Sequence, residues 1–503
     1  MKVAVIGSGP AAAGVLIGLQ KHAPNASVTI FDIGKVPDVN PVHTRAPKEW
    51  TEEEYQSLHS QIKSQFGFAF PPPKTFFGQG LRKHQAGENA KPFISEFYGG
   101  LSRHWSASVF PFVEKDFEGW PLGLSELSPY YAEVADEIGI SGRHDELNSY
   151  FGEDFVNRPP IDIPSPIARL NNHVNSHTDQ KGEYHIISGL NRLAVETESA
   201  AANSCVYCGE CMYGCFRSSI YDATKTIERA KAVGVVERTV NQKVSAVDSS
   251  GGAVSVRTAA ETYEGFDRLY LGAGCFGTSE ILMRSFGIED GITVKDNNSY
   301  VFPIFYTGGG ISNGDHSEYI SITNTILGVV PKDEDGHYAH VHISPFADYY
   351  WRYYFPVDYW RYLKIFASKF KARMILAKMY FPTQISKSYS LSLDEKDGFR
   401  VEKSSYGPSD EYARSVLKHL RRVVSGKGFI LPPVKLIRMS TSSHYVGAFP
   451  YSDSKIPLKS TGEIMPNVYI ADSSVFPESP AQTLTFTIMA NAARTARESL
   501  DDK

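Results

Sequence analysis

The hydrophobic pattern at the start of the chain predicts a strand, a tight turn, a helix and a second strand. The run "VAVIGSGPAAAGVLIGL" has an apolar strand, a glycine-rich turn and an apolar helix, and "SVTIFD" follows after a short connection. Near-continuous apolar strands joined through a helix are typical of a parallel βαβ unit. We therefore predict that the chain opens with such a unit.

The glycine turn has the spacing of a dinucleotide-binding site. Gly7 permits the tight turn, Gly9 lets the backbone approach a pyrophosphate, and Ala12 with Gly14 allows a helix to pack closely on the strand. Asp32 ends the second strand, where a carboxylate would hold the hydroxyls of the adenosine ribose. These residues predict FAD or NAD and disfavour NADP. A βαβ unit without a nucleotide is the alternative.

Composition and charge narrow the class of protein. The 503 residues carry a formal net charge of −5, which argues against nucleic acid as a partner. No run of about 18 apolar residues predicts a membrane span. Because the first strand begins at the second residue, we expect no secretory leader and a cytoplasmic protein.

Four of the five cysteines form one short strip, with the spacing C-x2-C-x2-C-x3-C. Such a run resembles the cysteine run of bacterial ferredoxins, whereas zinc sites usually combine two separated pairs. We expect an iron–sulfur cluster, [3Fe–4S] or [4Fe–4S]. Zinc and a metal-free or redox-active thiol strip are the alternatives. The residues are Cys205, Cys208, Cys211 and Cys215.

Four segments together resemble the glucose-methanol-choline (GMC) family of flavin oxidoreductases over nearly the whole chain. They are "GSGPAAAG", "YGGLSRHWSASVFPF", "LGAGCFGTSEILMRS" and the tail "NVYIADSSVFPESPAQTLTFTIMANAARTARESL". The second segment is most similar to the sugar-oxidising branch, which includes pyranose oxidase and FAD-dependent glucose and fructose dehydrogenases. The resemblance implies FAD as cofactor and oxidation of a sugar or other alcohol by hydride transfer to the flavin.

The resemblance also implies roles for individual residues near the flavin. Gly100 and Ser102 match the flavin-contacting loop, and Asp472 matches the acidic residue that the family directs at the ribityl chain. His104 falls where pyranose oxidase attaches its flavin covalently. A covalent bond is one expectation, and a histidine that only packs on the flavin is the other.

The catalytic base of the family is a histidine in a His-x-x-Gly context, which "SSHYVGAFPY" supplies as His444. Histidine suits this role because it can accept a proton near neutral pH. The family has a second His or Asn in the tail, but this chain has "SPAQTLTFTIM". Gln482 and Thr483 are therefore the candidates for the residue that hydrogen-bonds the substrate oxygen.

We predict an α/β protein with a Rossmann-like FAD-binding domain and a second α+β substrate domain, an antiparallel sheet backed by helices. The FAD-binding domain spans 1–295, with a covering loop and helix at about 36–90 and the cysteine-rich insertion at 205–215. The substrate domain spans 296–434. Residues 435–503 return to the FAD-binding domain.

Segment 345–382 is the compositional outlier. It carries seven Lys or Arg residues against two Asp, among many aromatic residues. Basic amphipathic segments with tryptophan bind membrane interfaces. The segment is expected to contact a membrane peripherally or a partner subunit, or simply to pack as a helix on the substrate domain.

The leading hypothesis is a dehydrogenase. Family members with a comparable cysteine insertion relay electrons through a cluster, so we expect an external acceptor such as a quinone, a cytochrome or a small redox protein. One alternative is a sugar or alcohol oxidase that uses dioxygen, with cysteines that bind zinc or nothing. The other is a membrane-docking flavoprotein that transfers electrons without an alcohol substrate.

Overall fold

The structure is a computed structural model of the chain. It describes residues near both ends of the chain and most of the residues between them. The described residues are 1–36, 45–46, 49–66, 81–83, 92–153, 155–177, 182–249, 253–310, 320–347, 349–350, 352, 372–394, 398–434, 436–439 and 442–501.

Strands and helices alternate in the first part of the chain, and strands dominate the middle. The strands of the described residues are β1 (Lys2–Ile6), β2 (Ser27–Asp32), β3 (Leu81–Lys83), β4 (Phe93–Ser95), β5 (Tyr184–Leu190), β6 (Val236–Asn241), β7 (Val244–Asp248), β8 (Val254–Thr258), β9 (Thr262–Phe266), β10 (Arg268–Leu271), β11 (Asp290–Asp296), β12 (Ser299–Tyr306), β13 (Thr325–Pro331), β14 (Ala339–Pro345), β15 (Met374–Tyr380), β16 (Lys387–Asp394), β17 (Gly398–Tyr406), β18 (Phe429–Ile430), β19 (Ile437–Arg438), β20 (Glu463–Met465) and β21 (Val468–Ile470). The helices of the same residues are α1 (Pro10–His22), α2 (Glu52–Phe66), α3 (Leu124–Ile138), α4 (Asn148–Phe151), α5 (Ser165–Asn175), α6 (Ala223–Ala232), α7 (Gly274–Phe286), α8 (Ser409–Val424) and α9 (Thr485–Glu498).

The first sheet has the order β20-β21-β10-β1-β2-β6 in the described part of the chain. Its pairings are parallel except that of β20 with β21. One face is covered by α1, α6 and α9, and the other by the small antiparallel sheet β7-β8-β9. Burial on both faces explains why β1 is apolar at successive positions rather than at alternate ones. This sheet is the predicted Rossmann-like unit.

The second sheet is antiparallel, with the order β18-β12-β15-β14-β13-β5 and β19 beside β12 in the described residues. Helices α5 and α8 pack on one face, where Leu170 and Leu420 meet Phe302 and Val341. The predicted antiparallel sheet backed by helices is therefore present. Its edge strand β5 comes from segment 1–295, the predicted FAD-binding domain. The domain boundaries stay predictions.

Two predicted segments are only partly described. Of the covering segment 36–90, the structure describes α2, β3 and a few residues before α2. Of the aromatic, basic segment it leaves residues 348, 351 and 353–371 outside its description, and the end of that segment is strand β15 rather than the expected helix. Among the helices that are described, none is long and apolar enough to span a membrane.

Candidate functional site

A cavity of about 410 Å³ lies between the two large sheets. Its wall at one end comes from the glycine turn before α1 and from the start of α7. Its wall at the other end comes from the face of the antiparallel sheet opposite α5 and α8. The cavity therefore joins the predicted dinucleotide site and the predicted catalytic histidine in one space.

The glycine turn is close-packed on a second turn of the chain. Gly7 has a φ of +97°, and a Cβ built there would lie 2.3 Å from the carbonyl oxygen of Gly272. Gly14 has the same property within α1, because its Cβ would lie 2.3 Å from the oxygen of Met489 in α9. Gly9 lines the cavity itself, while Ala12 is fully buried against the sheet. The predicted glycine positions thus fit a turn that presents its backbone to a ligand.

Asp32 ends β2 at the wall of the same cavity. Its carboxylate accepts hydrogen bonds from the Ser8 hydroxyl and the Gly34 amide, both at 2.7 Å. Burial raises the pKa of Asp32 to about 6. This is the placement that a ribose-binding carboxylate requires.

The loop with Gly100, Ser102 and His104 lies directly against the glycine turn. A Cβ on Gly100 would lie 3.2 Å from the Cα of Gly9, and the Ser8 hydroxyl accepts a hydrogen bond from the Gly99 amide at 2.8 Å. The Ser102 hydroxyl donates to the Gly99 carbonyl and accepts from the Ala223 amide, so its contacts lie within the protein. All three predicted loop residues line the cavity.

Asp472 also lines the cavity and is buried. It accepts hydrogen bonds from the Thr278 hydroxyl at 2.5 Å and from the Ser474 amide at 3.0 Å. Burial raises the pKa of this carboxyl above its ordinary value. The bond from Thr278 joins the start of α7 to the tail at the predicted flavin site, and the bond from Ser474 lies within the tail turn.

His444 lies at the sheet end of the cavity, with its ring stacked on that of Tyr380 at a centroid distance of 5.4 Å. The amide group of Asn297 donates to the carbonyls of Phe381 and Pro480, at 2.5 and 3.0 Å. Its oxygen therefore faces His444 as an acceptor, 3.2 Å from Nδ1. We assign the ring proton to Nδ1, which leaves Nε2 as the nitrogen with a lone pair.

Burial lowers the pKa of His444 to about 4. Asp296 raises this pKa and Lys378 lowers it, but each contributes less than burial. At neutral pH the ring is therefore uncharged and able to accept a proton. The low pKa keeps the ring uncharged at neutral pH, and the tautomer leaves Nε2 as the nitrogen that can accept a proton.

A buried ion pair between Asp296 and Lys387 holds the backbone segment that carries His444. Asp296 accepts a hydrogen bond from the His444 amide at 3.1 Å and from the Ser442 hydroxyl at 2.9 Å, and it pairs with Lys387 at 3.1 Å. Burial alone would raise the pKa of Asp296, but the Lys387 charge lowers it below its ordinary value. The carboxylate is thus ionised and holds the His444 segment on β11 and β16.

Three residues of this site, Asp296, Asn297 and Lys387, were not predicted from the sequence. The sequence does carry a signal, the polar run "DNNS", which lies where one strand ends and the next begins. In the structure all four of its residues are fully buried. Buried polar residues require partners, which makes such a run a candidate for a site.

The two candidates from the tail, Gln482 and Thr483, differ in whether they line the cavity. The Gln482 amide donates to Asp116 at 2.8 Å, and the residue is not part of the cavity wall. Thr483 lines the cavity, and its hydroxyl donates to the Ser108 carbonyl at 2.8 Å. Of the two, Thr483 is the one beside the space that a substrate could occupy.

The four cysteines of the strip surround a second, smaller cavity of about 20 Å³. Burial raises the pKa of Cys205 and Cys211 to about 12 and that of Cys208 to about 11. The backbone amide of Ser219 donates to the sulfur of Cys215 at 3.2 Å. Ile322 belongs to the walls of both cavities, so the two spaces are neighbours.

The arrangement of these thiols does not form a metal site. Among the described residues, no group of three or more His, Cys, Asp or Glu side chains could hold a metal ion. The prediction of an iron–sulfur cluster is therefore unsupported by the geometry, and the same finding gives no support to zinc.

The residues of the large cavity fit a dinucleotide such as FAD. The backbone of Gly9 is open to the cavity, Asp32 lies where a ribose would bind, and Asp472 lies at the tail turn. A helix N-terminus also faces the glycine turn, since α1 begins at Pro10. Its wall is mainly apolar beyond these groups, as a flavin ring requires.

Comparison with known proteins agrees with this architecture. No protein-family model matches the chain. The chain has the fold of pyridoxine 4-oxidase from Mesorbium loti, with a TM-score of 0.59 and 14% sequence identity over 100% of this chain and 99% of that one. Over 184 residues it is 29% identical to the 2-methyl-1,2-propanediol dehydrogenase of Mycolicibacterium austroafricanum.

The similarity to the dehydrogenase covers 33% of this chain and 29% of the dehydrogenase. The likeness to the oxidase extends over the whole chain and concerns the fold. The predicted α/β fold class is therefore confirmed.

Proposed function

We propose that the chain is an FAD-dependent oxidoreductase that oxidises an alcohol, with His444 as the base. The observation that carries this proposal is the single cavity that contains both the glycine turn and His444, with Asn297 holding Nδ1. The fold of a pyridoxine oxidase and the partial similarity to a diol dehydrogenase support the same class of reaction.

In this reaction the alcohol loses a proton from oxygen and a hydride from carbon, and a carbonyl forms. FAD, when bound, supplies the ring that accepts the hydride. Nε2 of His444 accepts the hydroxyl proton, because Nδ1 already carries one. Tyr380 fixes the ring plane by stacking, and Asp296 holds the backbone of the same segment. The apolar wall excludes water from the reacting groups.

The first experiment compares two histidine substitutions in protein that retains FAD. His444→Asn removes the base, and His185→Asn changes an exposed histidine on β5. With a panel of sugars, diols and primary alcohols, flavin absorbance is followed without oxygen. We expect at least one alcohol to bleach the flavin in the wild type and in His185→Asn. In His444→Asn the rate should fall by roughly 10²–10⁴-fold, the contribution of a general base.

Two results would reject the proposal. Either no FAD copurifies with the protein or can be restored to it, or His444→Asn reduces its flavin as fast as the control. Electron transfer between carriers that is unchanged in His444→Asn, with no alcohol oxidised, would favour the electron-transfer flavoprotein instead.

Covalent attachment of FAD to His104 is part of the proposal and rests on its position in the flavin-contacting loop. Acid precipitation separates the two expectations, because a covalent flavin stays with the protein. If the bond exists, the yellow colour should stay with the precipitated wild-type protein and should move to the supernatant in His104→Ala.

An external acceptor and an iron–sulfur cluster form a finer part of the proposal. The C-x2-C-x2-C-x3-C spacing and the cavity shared by the four thiols support the cluster. Because these thiols do not form a metal-binding group as arranged, the oxidation step above does not involve the cluster. A quinone, a cytochrome or a small redox protein would accept the electrons.

Iron and acid-labile sulfide, measured on protein purified without oxygen, test the cluster. About three or four irons per flavin, lost in Cys208→Ser but not in Cys275→Ser, would support it. Protein without iron would leave the alcohol oxidation intact and remove the cluster from the proposal.

A second candidate function is an oxidase that uses dioxygen. The observation that favours it is the fold of pyridoxine 4-oxidase. Oxygen consumption during turnover separates the two functions, since a dehydrogenase needs an added acceptor.

The sugar substrate and the peripheral contact of segment 345–382 also stay proposals. The sugar rests on the "GGLSRHW" loop, and the contact rests on the basic and aromatic composition of the segment. Sedimentation with anionic vesicles, with and without charge-removing substitutions in the segment, tests the contact.

A further inference from the structure

The cavity wall opposite the glycine turn presents a row of polar side chains. His342 on β14 and Lys378 on β15 are directly opposite each other in the antiparallel register. Tyr380 follows two positions after Lys378, so its side chain emerges on the same face. All three residues line the cavity together with His444.

Lys378 brings a positive charge to this wall. Its Nζ lies 4.7 Å from the centre of the Tyr380 ring, which in turn stacks on His444. The charge also acts on His342 and His444, because it contributes to lowering the pKa of each. Lys378 is therefore close to the place where the alcohol would react.

Other charged groups of the cavity already have partners. Glu96 pairs with Lys35 at 2.5 Å, and Glu280, at the far end, pairs with Lys243 at 2.7 Å. Asp32 and Asp472 accept the hydrogen bonds described above. Within the described part of the chain, no carboxylate lies within ion-pair distance of Lys378. The wall thus carries a half-buried ammonium whose charge the described residues do not balance.

His342 adds a hydrogen-bonding group next to this charge. It is buried, and its Nδ1 lies 3.1 Å from the Thr323 hydroxyl. Among the described residues its Nε2 has no hydrogen-bond partner. A buried ring nitrogen without a partner is costly unless a ligand satisfies it.

We propose that Lys378 binds an anionic group, a carboxylate or a phosphate, on the alcohol that His444 deprotonates, with His342 as a neighbouring hydrogen-bond partner. This inference rests on the proposed function. A lysine suits such a site because its three donors are carried on a flexible stem and its charge is compact. Charge-assisted hydrogen bonds of this kind are about twice as strong as neutral ones. The substrate class is therefore an acidic alcohol, such as a hydroxy acid, an acidic sugar or a sugar phosphate.

The test measures equilibrium binding in the FAD-loaded protein without oxygen, from the change in flavin absorbance. The probes are three matched pairs: glucose with glucose 6-phosphate, glycerol with glycerol 3-phosphate, and 1,2-propanediol with lactate. The variants are Lys378→Met, Lys378→Arg and, as a control, Lys418→Met on the exposed side of α8. Melting temperature and FAD content verify that each variant is folded.

In the wild type and in Lys418→Met we expect the acidic member of at least one pair to bind roughly tenfold to a hundredfold more tightly than the neutral member. Lys378→Met should abolish this preference and leave the affinity for the neutral member unchanged. Lys378→Arg should retain most of it, because the charge is conserved.

Equal binding of both members in all three pairs would overturn the proposal, and so would a preference that survives in Lys378→Met. An equal loss of affinity for the neutral and acidic probes in Lys378→Met would also overturn it. Lys378 would then contribute to flavin binding rather than to recognition of the anionic group. Binding needs no turnover, so an acid preference without flavin reduction rejects only the alcohol oxidation. Flavin reduction by alcohols without an acid preference rejects only the anion site.

Discussion

At the scale of the residue, the position of His444 depends on a carboxylate, Asp296, that is not part of the cavity wall. Asp296 is fully buried and receives hydrogen bonds from the His444 segment while it pairs with Lys387. Each partner alone would be an uncompensated charge in an apolar interior. The pair therefore fixes the position of the histidine but makes the site sensitive to substitution of either partner.

We expect Asp296→Asn to lower the free energy of unfolding by about 3–5 kcal/mol, because it leaves the Lys387 ammonium buried without a counter-charge. The double substitution Asp296→Asn with Lys387→Met should recover most of this loss. Urea unfolding of the wild type and both variants measures it. A double variant less stable than Asp296→Asn would contradict the role of the ion pair.

The proposed role of His444 as the base predicts how the reaction depends on pH. Burial lowers its pKa to about 4, so the neutral, proton-accepting form persists from neutral pH down to about pH 5. The value of kcat/KM should be flat over that range and fall about tenfold per pH unit below about pH 4. Stopped-flow flavin reduction with an uncharged alcohol measures this profile. A decline centred near pH 6.5 would mean that the histidine is exposed to solvent.

Residue roles were only partly predictable from the sequence. The positions of Gly7 and Asp32 followed from local patterns and that of His444 from the family resemblance, and each lines the cavity. Lys378 and His342 could not be found in this way, because strand register alone brings them together. Alternation along a strand tells which residues share a face, but not which strand is the neighbour.

At the scale of the element, a close contact of the dinucleotide unit joins the first and last helices. Gly14 in α1 lies against the backbone of Met489 in α9, and Gly18 lies against that of Ala493. The sequence predicted that Gly14 would allow close packing, but on the strand. The structure shows that the partner includes the final helix, which lies 475 residues away in the chain.

We expect Gly14→Ala to destabilise the FAD-binding unit, although alanine favours helices by up to about 1 kcal/mol. The new Cβ would lie 2.3 Å from the Met489 oxygen, and such overpacking costs about 1–3 kcal/mol. FAD retention on gel filtration and the melting temperature should both fall. Gly309→Ala is the matched control, because a Cβ added at Gly309 would have no atom within 4 Å. Equal behaviour of the two variants would contradict a tight α1–α9 contact.

At the scale of the whole molecule, the large cavity lies between two sheets, each of which has a core of its own. A third cluster contains residues of both sheets, such as Ile6 and Leu376. A cofactor that binds there contacts both. The folded protein should therefore be stabilised by FAD as one unit, by about 2.7 kcal/mol when free FAD is about 100 times its dissociation constant. Calorimetry with and without added FAD checks this expectation. Two transitions, of which only one moves with FAD, would contradict it.

At this scale, more of the architecture than of the chemistry could be predicted from the sequence. The apolar strands and glycine turns identified a parallel unit, and the strands after residue 296 identified an antiparallel sheet. The cysteine spacing predicted a cluster whose geometry the described residues do not support, because spacing along a chain does not fix the directions of the thiols. The edge strand β5 was not predicted, since nothing local distinguishes it from a strand of the first domain.

The two large sheets draw their strands alternately from the same chain. The parallel sheet joins β1 to β10 and β10 to β21, and the antiparallel sheet joins β5 to β13. While the protein is being synthesised, the parallel sheet therefore stays incomplete until β21 is made, and all strands of the antiparallel sheet, within residues 184–438, are made before the parallel sheet across the cavity is complete. Neither half should be expressible as an independent fragment, and a premature stop before Val468 should yield an aggregation-prone chain rather than a partial enzyme.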